Sequence, residues 1–203
     1  MVIMKLFIAT KNAHKVEEFR LLLAGVPVDL LPLPVQLPEA PETSTTFLDI
    51  AREKALFYAR ELDAVVLADD SGLVVPKLHG EPGIYSARYS GKHGDDEANN
   101  EKLIARLHEN GLSCAEAYFT CAVAIANVDG IIGAVEGRVT GTVYDFARGA
   151  RGFGYDPLFA PVGEVRRFAE MSMEEKAAYS HRAKAVELAR PILISIAGST
   201  KLS

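Results

Sequence analysis

Apolar and polar positions along the chain follow two periods, and the switches between them divide it into strands and helices. Met1 to Ala9 is apolar almost throughout, as expected of a central strand buried on both faces. A polar stretch from Thr10 to Lys15 follows. Val16, Phe19, Leu22 and Leu23 then fall at helical spacing until Gly25 ends the helix. Val28 to Leu33 reads as a short strand, and the prolines between Pro32 and Pro41 exclude a central strand there. Thr46 and Asp49 stand at capping-box spacing ahead of a helix to about Leu62, with Phe47, Ile50, Ala51, Tyr58 and Leu62 as its apolar stripe. Lys54 lies on that same stripe, so its ammonium either snorkels to water or meets an anion.

The strand formers Ala64 to Ala68 stop at Asp69-Asp70-Ser71-Gly72 and resume through Leu73 to Val75. Pro76 to Gly94 is rich in turn residues and reads as a loop or hairpin. Asp95 caps a helix whose apolar positions Ala98, Leu103, Ile104 and Leu107 end at Gly111. Tyr118 to Ala126 and Ile131 to Tyr144 are strand-like runs joined by Asn127-Val128-Asp129-Gly130, a hairpin signal that predicts an antiparallel pair. Ser172 and Glu175 form a second capping box, opening a short helix that carries Lys176. A last helix begins at Ser180-His181-Arg182, and Pro191 is expected to kink it or end its first part.

Composition narrows the function classes. The 203 residues suit one large domain or one domain with two lobes, and a 49% apolar fraction is enough for a substantial core. A net charge of -5 argues against nucleic acid or an anionic membrane as the main partner, because both require clustered Lys and Arg. No stretch approaches the ~18 apolar residues of a membrane span. Val2 to Ala9, interrupted by Lys5, lacks a basic leader and a cleavage site and is not expected to be a signal peptide. Cys114 and Cys121 show no metal-type spacing, which fits a reducing compartment and a cytoplasmic location.

Candidate chemistry gathers at four places. Asp69 and Asp70, adjacent carboxylates at the end of an apolar strand, read as a magnesium and water site; Asp-Asp-Ser-Gly is also a good turn. The strand-turn-helix junction at Thr10-Lys11-Asn12-Ala13-His14-Lys15 suits an anion, since unpaired N–H groups at a helix start carry partial positive charge and the lysines add donors. Gly152-Phe153-Gly154-Tyr155-Asp156-Pro157 places glycines around aromatics, an arrangement that lets backbone approach a flat ligand or plugs a loop onto a core. His181 and Arg182 offer donors suited to an acceptor-rich ring edge.

In order along the chain, Thr10-x-Asn12-x-x-Lys15, Glu42-Thr43, Thr46-Phe47 with Lys54-Ala55, Ala68-Asp69-Asp70-Ser71-Gly72-Leu73, Gly80-x-Pro82-Gly83-x-Tyr85-Ser86-Ala87-Arg88-Tyr89, Gly152-Phe153-Gly154-Tyr155-Asp156-Pro157-x-Phe159 and Glu175-Lys176 with Ser180-His181-Arg182 closely resemble the inosine/xanthosine triphosphate pyrophosphatase family. The resemblance covers essentially the whole chain. It implies an α/β fold, an elongated mixed central sheet flanked by helices, with two lobes, a nucleotide cleft between them, and residues 1–203 forming a single domain. It also implies a homodimer that uses Mg2+ to hydrolyse ITP, dITP and XTP to the monophosphate and pyrophosphate. Carried over position by position, Asp70 matches the catalytic carboxylate and a metal ligand, Glu42 the second ligand and Asp69 their acidic neighbour. Thr10 to Lys15 and Lys54 match phosphate contacts, with the substrate-binding candidate Ser71 beside them, and Phe153 to Asp156, Lys176, His181 and Arg182 match the base pocket. The chain departs from the family's usual pattern at Ser44, usually Gly, at Asp49-Ile50, usually Glu-Asn, and at Pro76, usually Asp. Two rival readings are a Maf-like pyrophosphatase with another base preference and a regulator that binds a triphosphate without cleaving it.

Overall fold

A computed structural model describes residues 3–199. Its elements run β1 (Met4–Ile8), α1 (Ala13–Leu22), β2 (Val28–Pro32), α2 (Phe47–Leu62), β3 (Val66–Val74), α3 (Asp96–Glu109), β4 (Cys114–Asn127), β5 (Gly130–Tyr144), β6 (Phe159–Pro161), α4 (Met173–Ala177) and α5 (His181–Ser199). One mixed six-stranded sheet has the order β2-β1-β3-β4-β5-β6. β1 pairs in parallel with β2 and β3, whereas β6 closes antiparallel on β5. The expected strands and helices are present, and the α/β class with a mixed, helix-flanked sheet is borne out. Among the described residues no helix is long and apolar enough to cross a membrane.

The chain divides into two compact units: residues 1–70, 121–137 and 182–203 form the first, residues 71–120 and 138–181 the second. In the first, Leu6, Ile8, Phe19, Leu23, Leu67, Ala185, Val186 and Leu193 pack on one side of the strands, and Ala9, Ala51, Ala55, Tyr58, Val66 and Ala68 on the other. Each large side chain so buried contributes on the order of 1.5–3 kcal/mol. In the second, Leu73, Leu103, Leu107, Phe119, Phe159 and Phe168 form the core, with the Phe119 and Phe159 rings edge to face at 4.8 Å.

Four expectations change. Met1 and Val2 of the first strand lie outside the described residues, and Lys5 is exposed, so β1 is not buried on both faces throughout. Asp69-Asp70-Ser71-Gly72 does not interrupt its strand: β3 runs through it, because cationic partners outweigh the cost of burying Asp69 and offset part of that cost at Asp70. Pro76 to Gly94 holds two short 3-10 helices, Pro76–Leu78 and Gly83–Arg88, and a single bridge between Val74 and Pro82. Pro191 lies inside α5 without ending it, since the buried residues Ala189, Leu193 and Ala197 around it keep the helix on the core.

Candidate active site

A β-strand turns successive side chains to opposite faces, and β3 uses that rule on its two carboxylates. Leu67 and Asp69 share one face, Val66, Ala68 and Asp70 the other, matching the two cores of the first unit. On the first face Lys15 Nζ, from α1, lies 2.8 Å from Asp69 Oδ2, and Arg182 Nη2, from α5, lies 3.6 Å from the same oxygen. On the second face Lys54 Nζ, from α2, lies 3.1 Å from Asp70 Oδ1 and 3.5 Å from Glu42 Oε1. Lys54, the lysine on an apolar stripe, therefore meets anions rather than water.

The two carboxylates are tuned apart. Burial works to raise the Asp69 pKa, but Lys15, Arg182 and Lys54 outweigh it and hold the group at about 2. For Asp70 burial dominates over the attraction of Lys54 and Lys15, and its pKa is raised. Lys54 is held protonated: burial opposes its charge, and Asp70, Asp69 and Glu42 more than compensate.

The turn before α1 is built by Asn12, whose side chain caps the helix by accepting from His14 N and Lys15 N, while Asn12 N donates to Thr10 Oγ1. Ala13 opens the helix. Lys11 reaches out to Glu39 at 3.0 Å, both side chains mostly exposed. The predicted anion loop thus supplies one lysine to Asp69 and one to the surface.

In the second unit Lys176, from α4, is buried and donates to Asp156 Oδ2 at 2.6 Å; Phe153 N donates to the same oxygen at 3.0 Å. The Lys176 ammonium lies 4.8 Å from the Phe153 ring centroid and 5.5 Å from that of Phe168. Gly154 is pinned from α3, its N–H donating to Asp96 and its carbonyl accepting from Asn100. Tyr155 is buried, with its hydroxyl on the Ser86 carbonyl, so it holds the loop to the core while Phe153 stays partly exposed. His181 stacks on Phe119 at 4.7 Å and 11°. Ser71 falls in this unit, at the strand position after Asp70.

The structure brings Glu42, Lys15, Lys54, Asp69, Asp70 and Arg182 together in the first unit, and Phe153 to Asp156 with Lys176 in the second. Arg182, expected beside His181, belongs to the first unit, where its guanidinium binds Glu18 and lies over Phe19. Sequence reasoning missed Glu18; its signal was a carboxylate next to Phe19 on the buried side of α1. It also missed Asp96 and Asn100, whose partner lies more than 50 residues away and leaves no local trace.

Among the described residues Asp70 Oδ2 is buried without a hydrogen-bond partner, an acceptor left open for a ligand. Together with Glu42 it makes a two-carboxylate donor set. Among the described residues no group of three or more His, Cys, Asp or Glu converges for a metal. A set this sparse fits a hard cation such as Mg2+, which keeps several waters and takes phosphate oxygens as further ligands.

A family model described as the Ham1 family matches residues 6–192. The chain belongs to the Ham1 family. It is 44% identical over 198 residues to the dITP/XTP pyrophosphatase of Streptomyces avermitilis, covering 96% of this chain and 99% of that one. The dITP/XTP pyrophosphatase of Geobacter sulfurreducens is 41% identical over 186 residues, covering 91% and 94%. The solved structure of the Staphylococcus aureus Ham1 protein matches with a TM-score of 0.82 at 34% identity over 95% of this chain and 99% of that one. That of the dITP/XTP pyrophosphatase from Mycobacterium abscessus gives 0.71 at 39% identity, over 93% and 100%. The resemblance carried by the motifs is borne out at the level of family, and the Ham1 framework holds over nearly the full length.

Proposed function

We propose that this chain hydrolyses the deaminated purine nucleotides dITP, ITP and XTP to the nucleoside monophosphate and pyrophosphate, in the cytoplasm, as a homodimer dependent on Mg2+. Relatives named for dITP and XTP, similar over nearly their whole length, support the substrate class. The observation that carries the chemistry is Asp70: one oxygen on Lys54, the other buried without a hydrogen-bond partner among the described residues.

Hydrolysis of a phosphoanhydride asks the protein to position a water and to neutralise charge on oxygen. Glu42 and Asp70 would hold Mg2+, which when bound lowers the pKa of a water and withdraws charge from phosphate oxygens. A carboxylate of the Asp69-Asp70 pair accepts the proton of the attacking water, and Asp69, held ionised, fixes Lys15 and Arg182. Thr10, Lys11, Asn12, Ala13, His14 and Lys15, with Lys54 and Ser71, contact the phosphates. Lys11, Lys15 and Lys54 stabilise the pyrophosphate leaving group.

Base choice follows from the sign of the hydrogen bonds. Hypoxanthine and xanthine carry an oxygen at position 6, where adenine carries an amino group. Lys176 and His181 are donors, satisfied by the oxygen and opposed by the amino group, while Arg182, carried over with them, is committed to Glu18 and Asp69; each donor left unpaired costs ~1–3 kcal/mol. Phe153 gives the ring a face to lie on, with Gly154, Tyr155 and Asp156 fixing its place.

The test is product analysis of ITP, dITP and XTP with and without Mg2+, with size-exclusion and light scattering for the dimer. Monophosphate and pyrophosphate that require the metal are the expected result. Diphosphate with orthophosphate would move the cleavage position, and tight binding with no turnover would make the protein a nucleotide sensor.

A further inference from the structure

Glu42 sits on a stretch, residues 33–46, that forms no helix or strand, so no backbone ladder fixes its carboxylate. Besides the exposed Lys11–Glu39 pair, the side-chain bonds that hold the stretch around Glu42 come from α2. Tyr58 Oη accepts from Ala40 N at 3.2 Å, two residues before Glu42. Glu53 takes the two residues after it: Oε2 accepts from Thr43 N at 3.0 Å and Ser44 N at 3.3 Å, Oε1 from the Thr43 hydroxyl at 2.8 Å and the Ser44 hydroxyl at 2.6 Å. An ionised carboxylate offers about four acceptor sites, and here all four are taken by one dipeptide. Glu53 therefore has no lone pair left for a metal or a ligand and can act only through the loop it holds.

The next residue on the helix is Lys54, whose ammonium meets Glu42 and Asp70. Successive helix positions point ~100° apart, so one turn of α2 holds the loop backbone with one side chain and receives the Glu42 carboxylate with the next.

We infer that Glu53 is a positioning residue for the metal site, fixing the Thr43–Ser44 backbone so that the Glu42 carboxylate is presented beside Asp70. The inference rests on the proposed role of Glu42 as a metal ligand. Partners one step removed from a metal ligand change metal affinity ~10–100-fold when lost, which is the size of effect expected here. Glu53 touches neither substrate nor reacting atoms.

Four variants separate the possibilities: Glu42→Gln, Glu53→Ala, the double variant of these two, and Ser44→Ala, which removes one of the four bonds and serves if Glu53→Ala does not fold. Binding of Mn2+ is followed by electron paramagnetic resonance in the presence of pyrophosphate, alongside the Mg2+ concentration for half-maximal activity and the melting temperature without metal. Glu53→Ala is expected to weaken Mn2+ binding ~10–100-fold and to raise the Mg2+ requirement in parallel, with most of kcat recovered at saturating Mg2+. Ser44→Ala should weaken it ~2–10-fold, as one hydrogen bond allows. In the double variant Glu53→Ala should add little to Glu42→Gln, because residues acting through one another are not additive. If Glu42→Gln weakens Mn2+ binding and Glu53→Ala or Ser44→Ala does not, or if the two losses add in full, the positioning role is overturned and Glu42 stands. If Glu42→Gln itself leaves Mn2+ binding unchanged, the metal-ligand reading fails first and the role of Glu53 falls with it.

Discussion

Asp69 and Asp70 are adjacent in β3 and project to opposite faces: Asp69 onto Lys15 and Arg182, Asp70 onto Lys54. Their pKa values move in opposite directions, so the two charges have unequal consequences for the fold. Asp69→Asn removes the anion that a half-buried lysine and a buried arginine share and should cost ~3 kcal/mol of stability. Asp70→Asn leaves Lys54 with Glu42 but also removes a carboxylate whose burial is only partly offset, so it should cost less stability than Asp69→Asn, while activity is lost. Urea unfolding of the two variants without metal checks this; equal losses would contradict it.

Gly152 stands at φ +73°, and a methyl group there would meet Asp156 Oδ2 at 2.1 Å, the oxygen that binds Lys176. At Gly154, φ +63°, a methyl group would meet nothing within 4 Å. Gly154→Ala should cost only the left-handed backbone penalty, ~1–2 kcal/mol. Gly152→Ala should cost more and also raise KM for dITP by disturbing the Asp156–Lys176 pair. Melting curves and KM values for both variants decide whether the loop is tuned at that pair.

Glu81 accepts from Arg106 Nε and Nη2, each at 3.1 Å, and from the Tyr89 hydroxyl, and the Arg106 and Tyr89 bonds lower its pKa below 4.5. A carboxylate depressed in the folded state contributes stability that is fully present above the unfolded value and is lost as pH falls through the folded one. The side chain is 35% exposed, which limits the increment to ~1 kcal/mol or less. The stability gap between the parent and Glu81→Gln should therefore be constant from pH 7 to about 5 and close as the pH drops below 4.5. A gap unchanged at pH 3 would contradict it.

Much of this was legible in the sequence because the governing physics is local. The capping residues Thr46, Asp95 and Ser172 open the helices they were expected to open. A lysine on the apolar stripe of α2 left two fates open, water or an anion, and the structure supplies two carboxylates. The rest depended on partners far along the chain. Asp-Asp-Ser-Gly looked like a strand end because its burial is compensated by Lys15, Lys54 and Arg182, which no local window contains. Arg182 was expected to follow His181, yet adjacent helix positions diverge and the guanidinium meets Glu18, 164 residues earlier. Whether the aromatics of the Gly152 to Pro157 loop meet a ligand or plug the core was left open; Tyr155 plugs it, through a hydroxyl partner, Ser86, 69 residues away.

The central claim is the deaminated purine pyrophosphatase reaction at Asp70, and the most direct measurement is kcat/KM for pyrophosphate release from dITP, dATP and dGTP, by the parent protein and by Asp70→Asn. The account predicts dIMP and pyrophosphate from dITP, a preference over dATP of ~100-fold or more from two or more donor contacts, and loss of turnover in a variant that still folds. Equal rates on all three nucleotides, or an active Asp70→Asn, would contradict it.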